Sequence, residues 1–257
     1  MTIRDALIAG VVQGLTEFLP VSSSGHLALL QHLPGWPDPE RNLGFNVALH
    51  FASMLAVVFF VAPELRALLR GRGRLLVVAG AATVPLAAAG LLGRALVVHV
   101  AGDLVLVGAC FLFTASLLMW TRRLPEGGAS FAGMSLGRAL GVGAGQAVGI
   151  LPGVSRSGAT LTACLAAGLE RGQAVRFTFL LAVPAILGAT AVQGLRDGFF
   201  APGIPAAPLL AGMASAFVAS LAGMKAVAVV TARRGLCWFA PYCAGLGVVS
   251  IALGAAG

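Results

Sequence analysis

Charge is what this 257-residue chain has least of: Asp, Glu, Lys and Arg make up 10% of it, against ~25% in a soluble globular domain. Only nine residues are acidic, lysine and tyrosine occur once each, and the other 16 basic residues are arginines. Twenty-six charges cannot clothe a water-soluble surface around a core of this size. The four cysteines, Cys110, Cys164, Cys237 and Cys243, all lie in apolar stretches without metal-ligand spacing. They read as small buried apolar residues, which excludes a disulfide scaffold and a zinc site. The net charge of +8 suggests nucleic acid at first sight, but the arginines form short scattered clusters and no continuous face, so no nucleic-acid partner is expected. What the chain has in abundance is apolar residues: 58%, or about 72% once its 35 glycines are counted. The composition is that of a polytopic membrane protein, all-α.

A helix crosses the ~30 Å hydrocarbon core with ~20 apolar residues. Six stretches approach that length: 43–62, 75–92, 104–120, 177–195, 206–230 and 236–256. Two further apolar stretches are interrupted, 6–33 by Pro20 and Ser22-Ser23-Ser24-Gly25-His26, and 139–169 by Pro152 and Ser155-Arg156-Ser157-Gly158. Polar, non-helical backbone persists at membrane depth only where protein buries it or a wet cavity adjoins it. The reading is therefore six transmembrane helices plus two re-entrant helical hairpins whose tips meet near the midplane. The N-terminal segment has no small-residue cleavage site and reads as part of the fold, not a removed leader.

Alternating the spans with loop 34–42 outside places eleven arginines in the inner loops 62–74, 121–138, 170–176 and 231–235, and four outside. By the positive-inside rule both termini face outward. The hairpins also resemble each other. QGLTEFLPVSSSGH (13–26) and QAVGILPGVSRSGA (146–159) agree at five of fourteen positions, and FASMLAVV (51–58) is followed in the same order by FTFLLAVP (177–184). These matches imply a duplication, with repeats of about 4–125 and 135–257 within one membrane domain, 1–257. An odd number of crossings per repeat inverts the second copy, a plan that places binding at the midplane.

Ionisable groups in a membrane are costly and concentrate at functional sites. In the first hairpin they are Glu17 and His26, with Gln13 one helical turn before Glu17. The turn Ser22–Gly25 offers backbone N–H groups to an anion, and the second hairpin adds Ser155, Arg156, Ser157 and Thr160. Arg suits bidentate phosphate contact, so the set fits a phosphoryl group. Each residue alone has a blander reading. Glu17 and Arg156 form a structural ion pair, the serines cap helices, His26 is a satisfied buried histidine, and Gln146 caps a hairpin. His32, His50 and His99 have nothing comparable beside them in sequence and read as structural or interfacial. The joint occurrence of polar groups at both breaks favours function.

Two long motifs, QGLTEFLPVSSSGH (Gln13–His26) and PGVSRSGAT (Pro152–Thr160), with FLLAVPAILGATA (Phe179–Ala191) after them, resemble the integral-membrane undecaprenyl-diphosphate phosphatases, or bacitracin-resistance proteins. The resemblance implies hydrolysis of undecaprenyl diphosphate to undecaprenyl phosphate and inorganic phosphate in the bacterial plasma membrane, recycling the lipid carrier of cell-wall synthesis. It implies an active site opening to the periplasmic side and a divalent cation, Mg²⁺ or Ca²⁺, at Glu17. It carries Ser23 and His26 as candidate nucleophiles and Arg156 as phosphate clamp. Gln13, Ser22, Ser24, Gly25, Ser155, Ser157, Gly158 and Thr160 are then the substrate-binding set. The chain departs from the family at Gln13, where many members carry glutamate, and at Asn46, where some carry an acid; fewer charges weaken a hard-cation site. The alternative is a transporter or flippase of a polyprenyl phosphate or other anionic lipid. The glycine-rich stretch 141–149 allows close packing within the chain or in a homodimer.

Overall fold

A computed structural model describes residues 2–31, 43–70, 73–197 and 205–256. These fold into twelve α-helices joined by short turns, with no strand among the described residues. They are α1 (Ile3–Phe18), α2 (Ser23–Gln31), α3 (Leu43–Phe60), α4 (Ala62–Leu69), α5 (Gly73–Leu92) and α6 (Arg94–Ala101). The second half continues with α7 (Leu104–Trp120), α8 (Leu136–Val148), α9 (Arg156–Ala166), α10 (Arg171–Asp197), α11 (Ala206–Ala232) and α12 (Ala240–Ala256). Five segments have the length and apolarity to cross a bilayer: Gly73–Leu92, Leu104–Arg123, Arg171–Val192, Ala206–Ala232 and Gly235–Ala256. A sixth arises if α3 and α4 count as one broken span.

That sixth span departs from the continuous helix expected over 43–62. The chain bends by 74° between Phe60 and Ala62, because Pro63 stands in the first turn of α4. Proline lacks the N–H that would continue α3 and clashes with the preceding turn, yet suits a helix start. Loops 62–74 and 93–103 accordingly contain helices α4 and α6. Loop 170–176 is the first turn of α10. Loop 34–42 and most of 196–205 lie outside the described residues.

The apolar surface faces outward to an unusual degree. Leu92 is 85% exposed and Leu91, Phe59, Val218, Leu210 and Trp238 are also largely uncovered, a belt that water would not tolerate and lipid tails would cover. Inside, Phe18, Phe177, Phe179, Leu118, Leu161 and Leu181 form the centre of the main core. Helices approach closely where side chains are small. A Cβ on Gly143 of α8 would lie 2.5 Å from the Ala82 carbonyl of α5, and one on Gly145 would lie 2.6 Å from Ala163 Cβ of α9. At these two positions the glycine-rich stretch packs within the chain.

The four arginine-rich loops gather at one end. Glu64 of α4 pairs with Arg176 at 2.9 Å. Glu126 pairs with both Arg171 and Arg234, and Arg74 donates to the carbonyls of Ala132, Gly133 and Met134. Lys225, read from sequence as lying inside a span, is exposed on α11 seven residues before its C-terminal end. Its long side chain can reach the polar boundary from there.

Candidate active site

Both interrupted segments break where glycine, proline and serine leave helical geometry, and each restarts in the same way. α2 begins at Ser23 and α9 at Arg156. Just before each lies a serine whose hydroxyl accepts the N–H three residues on: Ser22 from Gly25 at 3.2 Å, Ser155 from Gly158 at 3.1 Å. This is N-capping. Each capping hydroxyl also meets the serine two residues later, Ser22 with Ser24 at 3.4 Å and Ser155 with Ser157 at 3.2 Å.

The tips interlock. Gly153 N–H donates to Ser22 Oγ across the two hairpins at 3.1 Å. Ser157 Oγ donates to the Leu19 carbonyl at 3.1 Å. Thr114 on α7 fixes the second turn, donating to the Gly153 carbonyl at 2.9 Å and accepting from Ser155 N–H at 3.0 Å. Thr160 Oγ1 donates to the Arg156 carbonyl at 2.7 Å. The hydroxyls of Ser22, Ser155, Ser157 and Thr160, expected to contact substrate, therefore each have a protein partner that shapes the turns. Gly25 and Gly158 lie in the contact itself: a Cβ on Gly25 would be 2.8 Å from Gly153 Cα, and one on Gly158 3.1 Å from Pro20 Cβ.

This scaffold presents the first residues of α2 and α9 to one carboxylate. Glu17, only 8% exposed, accepts a hydrogen bond from Ser23 Oγ at 3.1 Å and one from Gln13 Nε2 at 3.2 Å, both on Oε2. Its other oxygen, Oε1, takes the Arg156 guanidinium. The ion pair is charge-assisted and mostly removed from water, so losing either partner would leave an uncompensated buried charge. Of the residues singled out in sequence, Gln13, Glu17, Ser23 and Arg156 thus come together.

His26 is engaged elsewhere. Its Nδ1 lies 2.7 Å from the Ser22 carbonyl and its Nε2 2.7 Å from the Tyr242 hydroxyl. The network assigns the proton to Nδ1, with Nε2 accepting from the phenol. The ring stacks on Tyr242 at 5.7 Å and meets Phe111 edge-on at 5.8 Å.

The residue that sequence reasoning missed is His50, set aside there as structural or interfacial. Its Nδ1 lies 3.0 Å from Gln13 Nε2 and 3.8 Å from Glu17 Oε2. A Gln13 amide that donates to both makes His50 Nδ1 an acceptor and places its proton on Nε2. A signal existed: Asn46, His50 and Ser53 recur at helical spacing along an otherwise apolar α3. A polar stripe of that kind at membrane depth marks a face turned inward, and Ser53 is indeed buried, bonded to Ser220 at 3.1 Å. Thr114 and Tyr242 were missed too, because their roles depend on contacts between distant segments.

For a divalent cation the donor set is Glu17 and the side-chain carbonyl of Gln13, with His50 beside them. Among the described residues no group of three or more His, Cys, Asp or Glu gathers to form a protein-only metal site. One carboxylate with a neutral carbonyl fits a cation that takes its remaining oxygens from phosphate and water, as Mg²⁺ commonly does.

Comparison with known proteins gives the family. Residues 6–249 match the family described as bacitracin resistance protein BacA. The undecaprenyl-diphosphatase of Desulfosudis oleivorans is 40% identical, over 97% of this chain and 98% of the relative. Those of Desulforapulum autotrophicum (35%, over 99% of both chains) and Methanobrevibacter smithii (36%, over 97% of this chain and 96% of the relative) are also similar. The chain belongs to the BacA family of integral-membrane bacitracin-resistance proteins.

Proposed function

We propose that the protein is an undecaprenyl-diphosphate phosphatase, a membrane hydrolase that returns the lipid carrier to peptidoglycan synthesis as its monophosphate and so confers bacitracin resistance. One observation carries the residue assignment: a single buried carboxylate, Glu17, receives the Ser23 hydroxyl from one hairpin and the Arg156 guanidinium from the other. A hydroxyl bonded to a carboxylate is an activated nucleophile with its base in place. A guanidinium at the neighbouring helix start is the group that holds phosphate oxygens.

The reaction then runs in two steps. Ser23 Oγ attacks the distal phosphorus while its proton passes to Glu17. The phosphoanhydride bond breaks as the Ser–phosphorus bond forms, and undecaprenyl phosphate leaves into the bilayer. Glu17 gives up this first proton as undecaprenyl phosphate leaves. Water then attacks the phosphoserine and passes a proton to the ionised Glu17; the Ser–phosphorus bond breaks, phosphate departs, and Glu17 returns that proton to the serine oxygen. Arg156 exchanges its carboxylate partner for the equatorial phosphate oxygens, where developing charge is stabilised. Gln13, supported by His50, keeps Glu17 Oε2 oriented toward Ser23. A divalent cation, Mg²⁺ or Ca²⁺, held by Glu17, Gln13 and the diphosphate itself, would supply charge neutralisation. The prenyl chain stays in lipid while the diphosphate enters from the periplasmic side.

The test is phosphate release from a prenyl diphosphate in detergent. Wild type is expected to turn over, and Glu17→Ala to lose about 100-fold or more in kcat, in the range of a general base. Chelator is expected to lower the wild-type rate. A Glu17→Ala variant with near-normal kcat would sink the assignment.

A further inference from the structure

Gln146 is a buried polar group that the reaction above leaves unused. It lies on α8, the position that aligns with Gln13 in the first hairpin. It is 1% exposed, and its Nε2 is buried without a hydrogen-bond partner. An unsatisfied buried donor is costly, and Gln146 has polar groups as well as Phe18, Phe179 and Ala182 around it. It lines a small cavity together with Glu17, Arg156, Ser157, Thr160 and Thr178, the back wall of the Glu17–Arg156 pair. That cavity admits about one water molecule and nothing of phosphate size.

The wall chemistry is asymmetric. Ser157 and Thr160 each donate their hydroxyl proton to a backbone carbonyl, so toward the cavity they offer lone pairs. Glu17 offers a carboxylate. The amide of Gln146 supplies the donor that such a site lacks once Arg156 is occupied. A water there would accept from Gln146 and donate to Glu17 and to one hydroxyl.

We infer that this cavity is a dedicated water site and that Gln146 is a positioning residue, acting on Glu17 through the bound water. The inference rests on the phosphatase reading and adds to it a second holder for the base. In the resting state Glu17 is held by Arg156. When Arg156 turns to the phosphate, Glu17 loses that partner while it must remain ionised and aimed at Ser23. The water anchored by Gln146 keeps the carboxylate solvated and in place through the exchange.

Three proteins decide it: wild type, Gln146→Met, which keeps volume and removes the donor, and Gln146→Asn, which keeps the donor and leaves room for water. Gln146→Met is expected to lower kcat about tenfold or more, as misplacement of a catalytic group does. KM should stay within about twofold, and the unfolding midpoint in detergent should shift little, since volume is kept and only one water-mediated hydrogen bond is lost. Gln146→Asn is expected to keep at least roughly a third of the rate, because its donor still reaches the water. High-resolution density should show an ordered water at the Gln146 amide in wild type and none there in Gln146→Met. Full kcat in Gln146→Met, a raised KM at unchanged kcat, a parallel loss of rate and stability in both variants, or no water density in wild type would each overturn the inference. A wild type that orders the water yet releases no phosphate would instead overturn the phosphatase reading.

Discussion

At Glu17, three hydrogen-bond donors and an imidazole crowd one carboxylate, and the division between its two oxygens separates their work. Oε1 belongs to Arg156, the charge partner that in the proposed reaction leaves when phosphate arrives. Oε2 belongs to Ser23 and Gln13, in the proposed reaction the nucleophile and its aligner. From sequence alone Ser23 and His26 are equivalent candidates three residues apart on α2. They are distinguished here by what each ring or hydroxyl already holds. His26 has both nitrogens committed, to Ser22 and Tyr242, and would have to break a stacked arrangement before attacking phosphorus. Rapid acid quench during turnover should therefore trap a phosphoserine at position 23, stable to acid. An acid-labile phosphohistidine at position 26 would reverse the assignment. His26→Ala is expected to slow turnover far less than Ser23→Ala, since its loss loosens the hairpin without removing the attacking atom.

The hairpins are where local chemistry and tertiary contact meet. Ser22 has a left-handed φ of +65°, a conformation that costs a non-glycine residue about 1–2 kcal/mol. Its hydroxyl offsets this by serving Gly25 on its own helix and Gly153 on the other hairpin. Gly153, opposite, has φ +93°. The breaks were legible in the sequence because proline, glycine and serine interrupt apolar runs, and the N-caps because Ser-X-X-Gly repeats. The 74° bend at Pro63 was not, since apolarity continues across it and only the missing N–H ends the helix. His50 and Gln146 stayed hidden for a related reason. One polar residue in an apolar helix says nothing of which distant carboxylate it meets. One close contact between the tips gives an element-scale test. A methyl group on Gly25 would lie 2.6 Å from Phe111 Cζ and 2.8 Å from the Gly153 backbone. Phe111 can give way only by disturbing its contact with His26, and the Gly153 backbone cannot. Gly25→Ala should cost roughly 1–3 kcal/mol of stability. It should also lower kcat, because the starts of α2 and α9 separate. Thermal unfolding in detergent beside the hydrolysis assay checks both; unchanged values would mean the tips are not held together as described.

Across the whole molecule, the proposed duplication would make helix contacts of one half reappear in the other. The most extensive contacts are α1 with α11, α7 with α12, α5 with α8, α3 with α11 and α3 with α10. Matching α1 with α8, α3 with α10, α5 with α11 and α7 with α12 sends the α1–α11 contact to α8–α5 and the α3–α11 contact to α10–α5, which is also present. The pairs α7–α12 and α3–α10 map onto themselves, as they would across a pseudo-twofold axis between halves. On the proposed duplication, Ser23 and Arg156, aligned in the repeat, occupy equivalent helix starts with opposite chemistry. The cluster of arginine-bearing loops at one end adds the orientation. Positive charge is retained on the cytoplasmic side, so the expected orientation has the end bearing Arg66, Arg74, Arg171, Arg176 and Arg234 inward and the termini outward. Single cysteines placed at Thr2 and Ala256, in a background where the native cysteines are replaced, should react with an impermeant maleimide in intact cells. One at Arg122, in the arginine-rich end, should react only after the membrane is permeabilised. Labelling of Arg122→Cys from outside would invert the orientation, and with it the periplasmic entry of the diphosphate.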